Sequence, residues 1–183
     1  MPSNDLSAAK TTTSGGRARR LVVLLLIAGA TTSCDQSSKS VIFDRFADSP
    51  PIEYLGGIFR LTLVLNRGGF LGLGETLGPS LRWWLFTIGV TVTLAMVAYM
   101  ALSQRLELRG LAALGLILGG GLGNLLDRVL FDGVVRDFAN VGLGPVRTGV
   151  FNLADVAILT GAAVLILEGW LSSSDDPDET AST

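Results

Sequence analysis

The chain has 183 residues, 49% hydrophobic and 16% charged, with a formal net charge of −2, a balance too apolar for an ordinary soluble domain and suited to a membrane protein. So small a charge, with its arginines scattered, excludes a nucleic-acid binder. With no histidine and a single cysteine, Cys34, the chain has no Ser-His-Asp or Cys-His catalysis, no His-ligated zinc and no intrachain disulfide.

Residues 1–20 are rich in Ser, Thr and Gly and end in Arg17-Ala-Arg19-Arg20, a composition that predicts a disordered tail. Residues 21–30 are wholly apolar, but Thr31-Thr-Ser-Cys34-Asp35 follows, so the uninterrupted run is about half the roughly 20 residues a spanning helix needs. Two readings compete. One is a lipoprotein-type signal peptide cleaved before Cys34. The other is a spanning helix that continues through Thr, Ser and Cys to Val41 or Phe43. Thr31, where such a cleavage site prefers a Leu-like residue, favours the helix. The chain has only two lysines, Lys10 and Lys39, so a Ser-Lys hydrolase would have to use Lys39.

Residues 44–81 are of mixed character. Pro50-Pro51 is a break and Gly56-Gly57 a turn signal, and the β-branched and aromatic run at 58–65 predicts a strand. The glycine-rich segment from Asn66 to Gly74 supplies a turn and a returning strand. A small extracytoplasmic β-sheet is therefore expected between the first two helices. Residues 83–102, 111 to about 130, and 150–170 are each near spanning length. The predicted fold is a mainly α membrane protein of four transmembrane helices, forming one domain over residues 21–170, with an acidic tail at 171–183. Trp83, Trp84 and Trp170 fall at span ends, where indole rings prefer the interface. Gly115 and Gly119 to Gly121 permit close helix approach. Arginines at 17, 19, 20, 105 and 109 place both termini in the cytoplasm, and that topology gathers the Asn66 segment, the loop after Asp127 and the start of the fourth helix on one outer face.

On that face Asp137 and Asp155 lie near the outer ends of two spans. Two carboxylates held close cannot both ionise cheaply, so they share a proton: one serves as base toward water, the other as acid toward a carbonyl. Asp132 competes for this role, although an aspartate before Gly133 also suits a turn. Asn124, Asp127 and Arg128 are spaced to share one helical face, and Asp127 is expected to pair with Arg128. Asn152, one turn before Asp155, suits either orientation of that carboxylate or a helix cap. A membrane bundle using these groups as interhelical contacts and a proton-coupled transporter are the rival readings.

Five blocks resemble the lipoprotein signal peptidases (signal peptidase II), aspartyl proteases of the bacterial inner membrane. They are Asp35-Gln-Ser-Ser-Lys39, Asn66-Arg-Gly68-Gly-Phe-Leu-Gly72, Gly123-Asn124-Leu-Leu-Asp127-Arg128, Val135-Arg-Asp137-Phe138 and Phe151-Asn152-Leu-Ala154-Asp155. The resemblance implies a catalytic dyad of Asp137 and Asp155. It also implies substrate-binding or supporting roles for Asp35, Lys39, Asn66, Gly68, Asn124, Asp127, Arg128, Asn152 and Ala154. The implied reaction is hydrolysis before a diacylglyceryl-modified cysteine of a prolipoprotein, at the outer face of the inner membrane. The implied partners are that substrate and membrane lipids, with no nucleic acid, cofactor or metal, and a monomer is expected. If Asp35 to Lys39 belongs to the enzyme, Cys34 lies inside a retained span. Phe70 and Leu71 depart from the family's more usual Ala and Phe, and one extra residue lies in the turn that contains Asp132.

Overall fold

The computed structural model of the chain describes residues 5–69, 74, 76–104 and 106–174. Four helices carry it: α1 (Asp5–Phe46), α2 (Pro79–Ser103), α3 (Leu108–Leu130) and α4 (Leu153–Ser174). Each contains a stretch long and apolar enough to cross a membrane. Helix α1 starts before residue 21, so residues 5–20, expected as a tail, are helical; once a helix is nucleated each added residue gains a hydrogen bond, and no proline stops it here. It also runs unbroken through Cys34. In α2 a π turn at Trp84–Ile88 interrupts the α-helical pattern.

Helix α3 is the centre of the bundle. In its spanning window 67% of residues are buried, against 17% in each of the other three, so α3 is wrapped by protein while the others present apolar faces to lipid. Glycines make that enclosure possible. A Cβ on Gly119 would stand 2.6 Å from the Ala28 carbonyl of α1, and one on Gly120 would collide with the Ala154 carbonyl of α4. On α1 the buried residues Leu24, Ala28, Asp35 and Lys39 recur at helical spacing and form one face. The upper part of that face joins Leu94, Ala101, Leu111, Leu114 and Leu118 in an apolar core.

The strands are β1 (Ile52–Tyr54), β2 (Phe59–Asn66), β3 (Val135–Leu143) and β4 (Val146–Arg147), forming one antiparallel sheet in that order. The sheet departs from expectation: β2 pairs with β3 rather than with a strand from the Asn66–Gly74 segment. That pairing joins the α1–α2 and α3–α4 connections at one end of the bundle. Within the segment expected to return, Phe70, Leu71, Gly72 and Leu73 lie outside the described residues, as do residues 1–4 and the acidic stretch at 175–183. Leu61, Phe138 and Ala139 bury their side chains against Ile42, Phe43 and Phe46 of α1, which docks the sheet on that helix. In register, Val64 faces Asp137 and Asn66 faces Val135.

Candidate active site

The polar residues of the five blocks converge where the sheet meets α1, α3 and α4. Asp35, Lys39, Asp127 and Asn152 are fully buried, and Asp137 is 1% exposed. Such groups are tolerated only when paired, and each has partners. Lys39 Nζ lies 2.7 Å from Asp35 Oδ2 and 3.2 Å from Asp127 Oδ2, and donates to Asn124 Oδ1 at 2.8 Å. All three ammonium protons are thus directed to acceptors, and none is left for activating a serine.

The start of α4 is fixed by side chains. Asn152 Oδ1 accepts from the Asp155 amide at 3.0 Å, and Asp155 Oδ2 accepts from the Asn152 amide at 3.2 Å, a reciprocal cap with Asn and Asp in the two places. Asp35 Oδ1, from α1, accepts from the Ala154 amide at 2.9 Å. Three donors at the helix start are therefore satisfied. Ala154 itself is fully buried where Gly120 passes its carbonyl, which explains why both positions are small.

The two predicted acids meet through amides. Asn152 Nδ2 donates to Asp137 Oδ1 at 2.6 Å and to Asn124 Oδ1 at 3.0 Å, while Asn124 Nδ2 donates to Asp155 Oδ1 at 2.9 Å. Asn66 Nδ2 donates to Asp137 Oδ2 at 2.9 Å, and Asn66 Oδ1 accepts from the Gly68 amide. Asp137 and Asp155 both line one cavity of about 260 Å³, with Asn66, Asn124, Arg128, Phe86, Val90 and Val150 among the other residues around it. Burial raises the Asp137 carboxyl from its ordinary 3.8 to about 6; the hydrogen bonds from Asn66 and Asn152 oppose that shift, and the nearby Asp155 charge adds to it. The pair can therefore hold a proton at a pH where isolated carboxylates are ionised.

Two expectations need correction. Asp127 does not pair with Arg128. Its partners are Lys39, Gln36 Nε2 at 3.0 Å, and Arg136, whose Nη2 donates to Oδ1 and whose backbone N–H donates to Oδ2, both at 2.9 Å. Successive helical residues point about 100° apart, and Arg128 faces the cavity, donating to the Gly68 and Asn124 carbonyls at 3.1 and 3.3 Å with its guanidinium 5.7 Å from the Phe86 ring. Its buried Nε has no hydrogen-bond partner among the described residues. Asp132 occupies an exposed turn after α3 with φ of 51° and does not line the cavity of the acids; it lines a separate cavity with Arg67, Arg82, Trp83 and Trp84. Gln36 and Arg136 are the site residues that sequence reasoning missed. A cation flanking an aspartate at the start of a largely apolar strand was the signal available for Arg136.

The chain is similar to known proteins over most of its length. A family model described as signal peptidase (SPase) II matches residues 22–171. The lipoprotein signal peptidase of Burkholderia thailandensis is 37% identical over 134 residues, covering 73% of this chain and 79% of the relative. That of Burkholderia vietnamiensis is 40% identical over the same shares. Among solved structures, one titled a bacterial membrane enzyme structure superposes with a TM-score of 0.73 at 25% identity, covering 87% of this chain and 94% of that one. A second of the same description gives 0.68 at 26% identity, covering 79% and 90%.

Proposed function

The chain belongs to the signal peptidase II family, and on that premise we propose that Asp137 and Asp155 are its catalytic pair. The protein is a membrane aspartic endopeptidase of the bacterial inner membrane that removes signal peptides from prolipoproteins. The observation that carries the residue assignment is that both acids open on one cavity and are tied together through Asn124 and Asn152. In the proposed reaction the pair holds one proton. One carboxylate takes a proton from water as it attacks the scissile carbonyl while the other acid protonates that carbonyl oxygen, and the proton taken from water then passes to the departing amine. Arg128, whose buried Nε beside the cavity has no partner among the described residues, supplies a donor for a substrate carbonyl. Asn66 and Asn152 fix the Asp137 carboxylate, and the Lys39–Asp127 group holds Asn124 from behind. The transporter and inert-bundle alternatives have less support, since the polar groups gather at one end of the helices and the family is proteolytic.

The finer reading is that the substrate carries a diacylglyceryl group on the cysteine after the cleaved bond, that the site faces the outer surface and that both termini are cytoplasmic. The acids sit where the helices meet the sheet, and a bond next to a lipid-anchored cysteine is held at that depth. Incubating the purified protein with a prolipoprotein before and after lipid modification tests this. Cleavage of only the modified form is expected, and equal cleavage of both forms would refute the lipid requirement.

A further inference from the structure

Arg136 belongs to none of the groups to which the family blocks assign a role, yet it is built into the back of the site. Its side chain is 13% exposed. Besides its three hydrogen bonds to Asp127, from the backbone N–H, Nε and Nη2, Nη2 donates to Gln36 Oε1 at 3.1 Å, and Gln36 returns through Nε2 to Asp127 Oδ1 and to the Gly123 carbonyl at 3.0 and 2.9 Å. The guanidinium lies 4.5 Å from the Phe131 ring and 6.0 Å from that of Phe43, a stacked and forked seat that a lysine cannot fill in the same way.

We propose that Arg136 is a positioning residue of the reaction: it neutralises and orients Asp127, so that Lys39 holds Asn124, and Asn124 holds Asp155, in a group with no excess charge.

Among the described residues the charges beside the acid pair are Asp35 and Lys39 from α1 and Arg128 from α3; Asp127 from α3 and Arg136 from β3 stand behind Lys39, while β2 contributes the neutral Asn66 and α2 the uncharged Phe86. Asp35, Lys39, Asp127 and Arg136 sum to zero. Arg128 does not substitute for Arg136, because its own bonds run to Gly68 and Asn124 on the cavity side. Without Arg136 the group carries one uncompensated negative charge behind Asn124. A negative charge makes both proton losses from the acid pair harder, so the whole pH–rate profile moves to higher pH.

The inference rests on the Asp137–Asp155 reading, and the two can fail separately. Activity in Asp137→Asn would sink the catalytic assignment, whereas the present proposal is read from variants that keep both acids. In detergent-purified protein cleaving a lipidated prolipoprotein, Arg136→Gln is expected to move both limbs of the profile up by about half a pH unit or more. The charge-balanced double variant Arg136→Gln with Asp127→Asn is expected to return toward the wild-type midpoints, although at a lower rate. Arg136→Lys keeps the charge and loses the fork, so it should lower kcat several-fold with unmoved midpoints. A purely structural role would lower the rate of Arg136→Gln without moving its profile, and that result would overturn the proposal. Should Arg136→Gln not fold, Asp127→Asn decides: it leaves the same group with one excess positive charge, so both limbs moving to lower pH support the charge role, and an unmoved profile refutes it.

Discussion

Replacing Asp137 by Asn separates its chemical role from its structural one. The carboxyl of Asp137 titrates near 6 in the folded chain instead of 3.8, so the fold binds its proton more tightly than the unfolded chain does. Its contribution to stability is then fully present below about pH 4 and is lost as pH rises through about 6, a swing of at most about 3 kcal/mol. Asn has no such titration, and at neutral pH the substitution removes that cost. Against this, Asp137 accepts amide protons on both oxygens, from Asn152 and Asn66, whereas an Asn side chain would turn its own NH2 toward one of these donors. Leaving one pair unsatisfied costs about 1–3 kcal/mol. The two terms nearly cancel, so the variant should fold, with a Tm within about 5 °C of the parent. Its cleavage of a lipidated precursor should nonetheless fall on the order of a thousandfold or more. Because the acids act as a unit, Asp137→Asn with Asp155→Asn should be no slower than the slower single variant. Thermal unfolding in detergent and single-turnover cleavage provide the readouts. A well-folded Asp137→Asn that retains substantial activity, or a double variant far slower than either single, would refute the shared-proton reasoning.

Three further outcomes are expected. Because the raised Asp137 carboxyl loses its proton through about pH 6, kcat/KM should decline on the alkaline side with a midpoint at or above about that value; a rate flat to pH 9 would contradict the shared proton. Lys39→Met leaves Asp35 and Asp127 buried without their ammonium partner, a loss of roughly 3–5 kcal/mol, and Asp35→Asn should restore part of it because an amide oxygen still accepts from Ala154; unfolding midpoints measure both. Asp132→Asn should retain near-parental cleavage, since that turn is outside the cavity of the acids, and a loss equal to that of Asp137→Asn would show that the wrong carboxylate had been chosen.

The four spans were legible because a bilayer demands the same thing everywhere along a helix, apolar side chains over about 20 residues. Hydropathy reports that locally. The glycines of α3 were legible as sites of close approach for a similar reason, and Gly119 and Gly120 do meet the α1 and α4 backbones. The sheet was only half legible. The run at 58–65 reads as a strand on its own composition, but its partner β3 lies some seventy residues away, and no local pattern names a pairing partner.

The site divides in the same way. The sequence alone left carboxylates as the main hydrolytic option, since histidine is absent and Lys39 was the sole lysine near an apolar run. It also brought Asp137 and Asp155 to one membrane face, while leaving Asp132 in contention. Only the tertiary structure decided which group touches which. It turned Asp127 toward Lys39 and Arg136 while Arg128 turned to the cavity, because adjacent residues on a helix point in different directions and a salt bridge depends on direction. It also set Asp137 on a strand between Asn66 and Asn152, where burial raises its carboxyl, and put Asp132 in solvent. Desolvation and hydrogen bonding depend on atoms contributed by distant segments of chain, and so they appear only once the chain has folded.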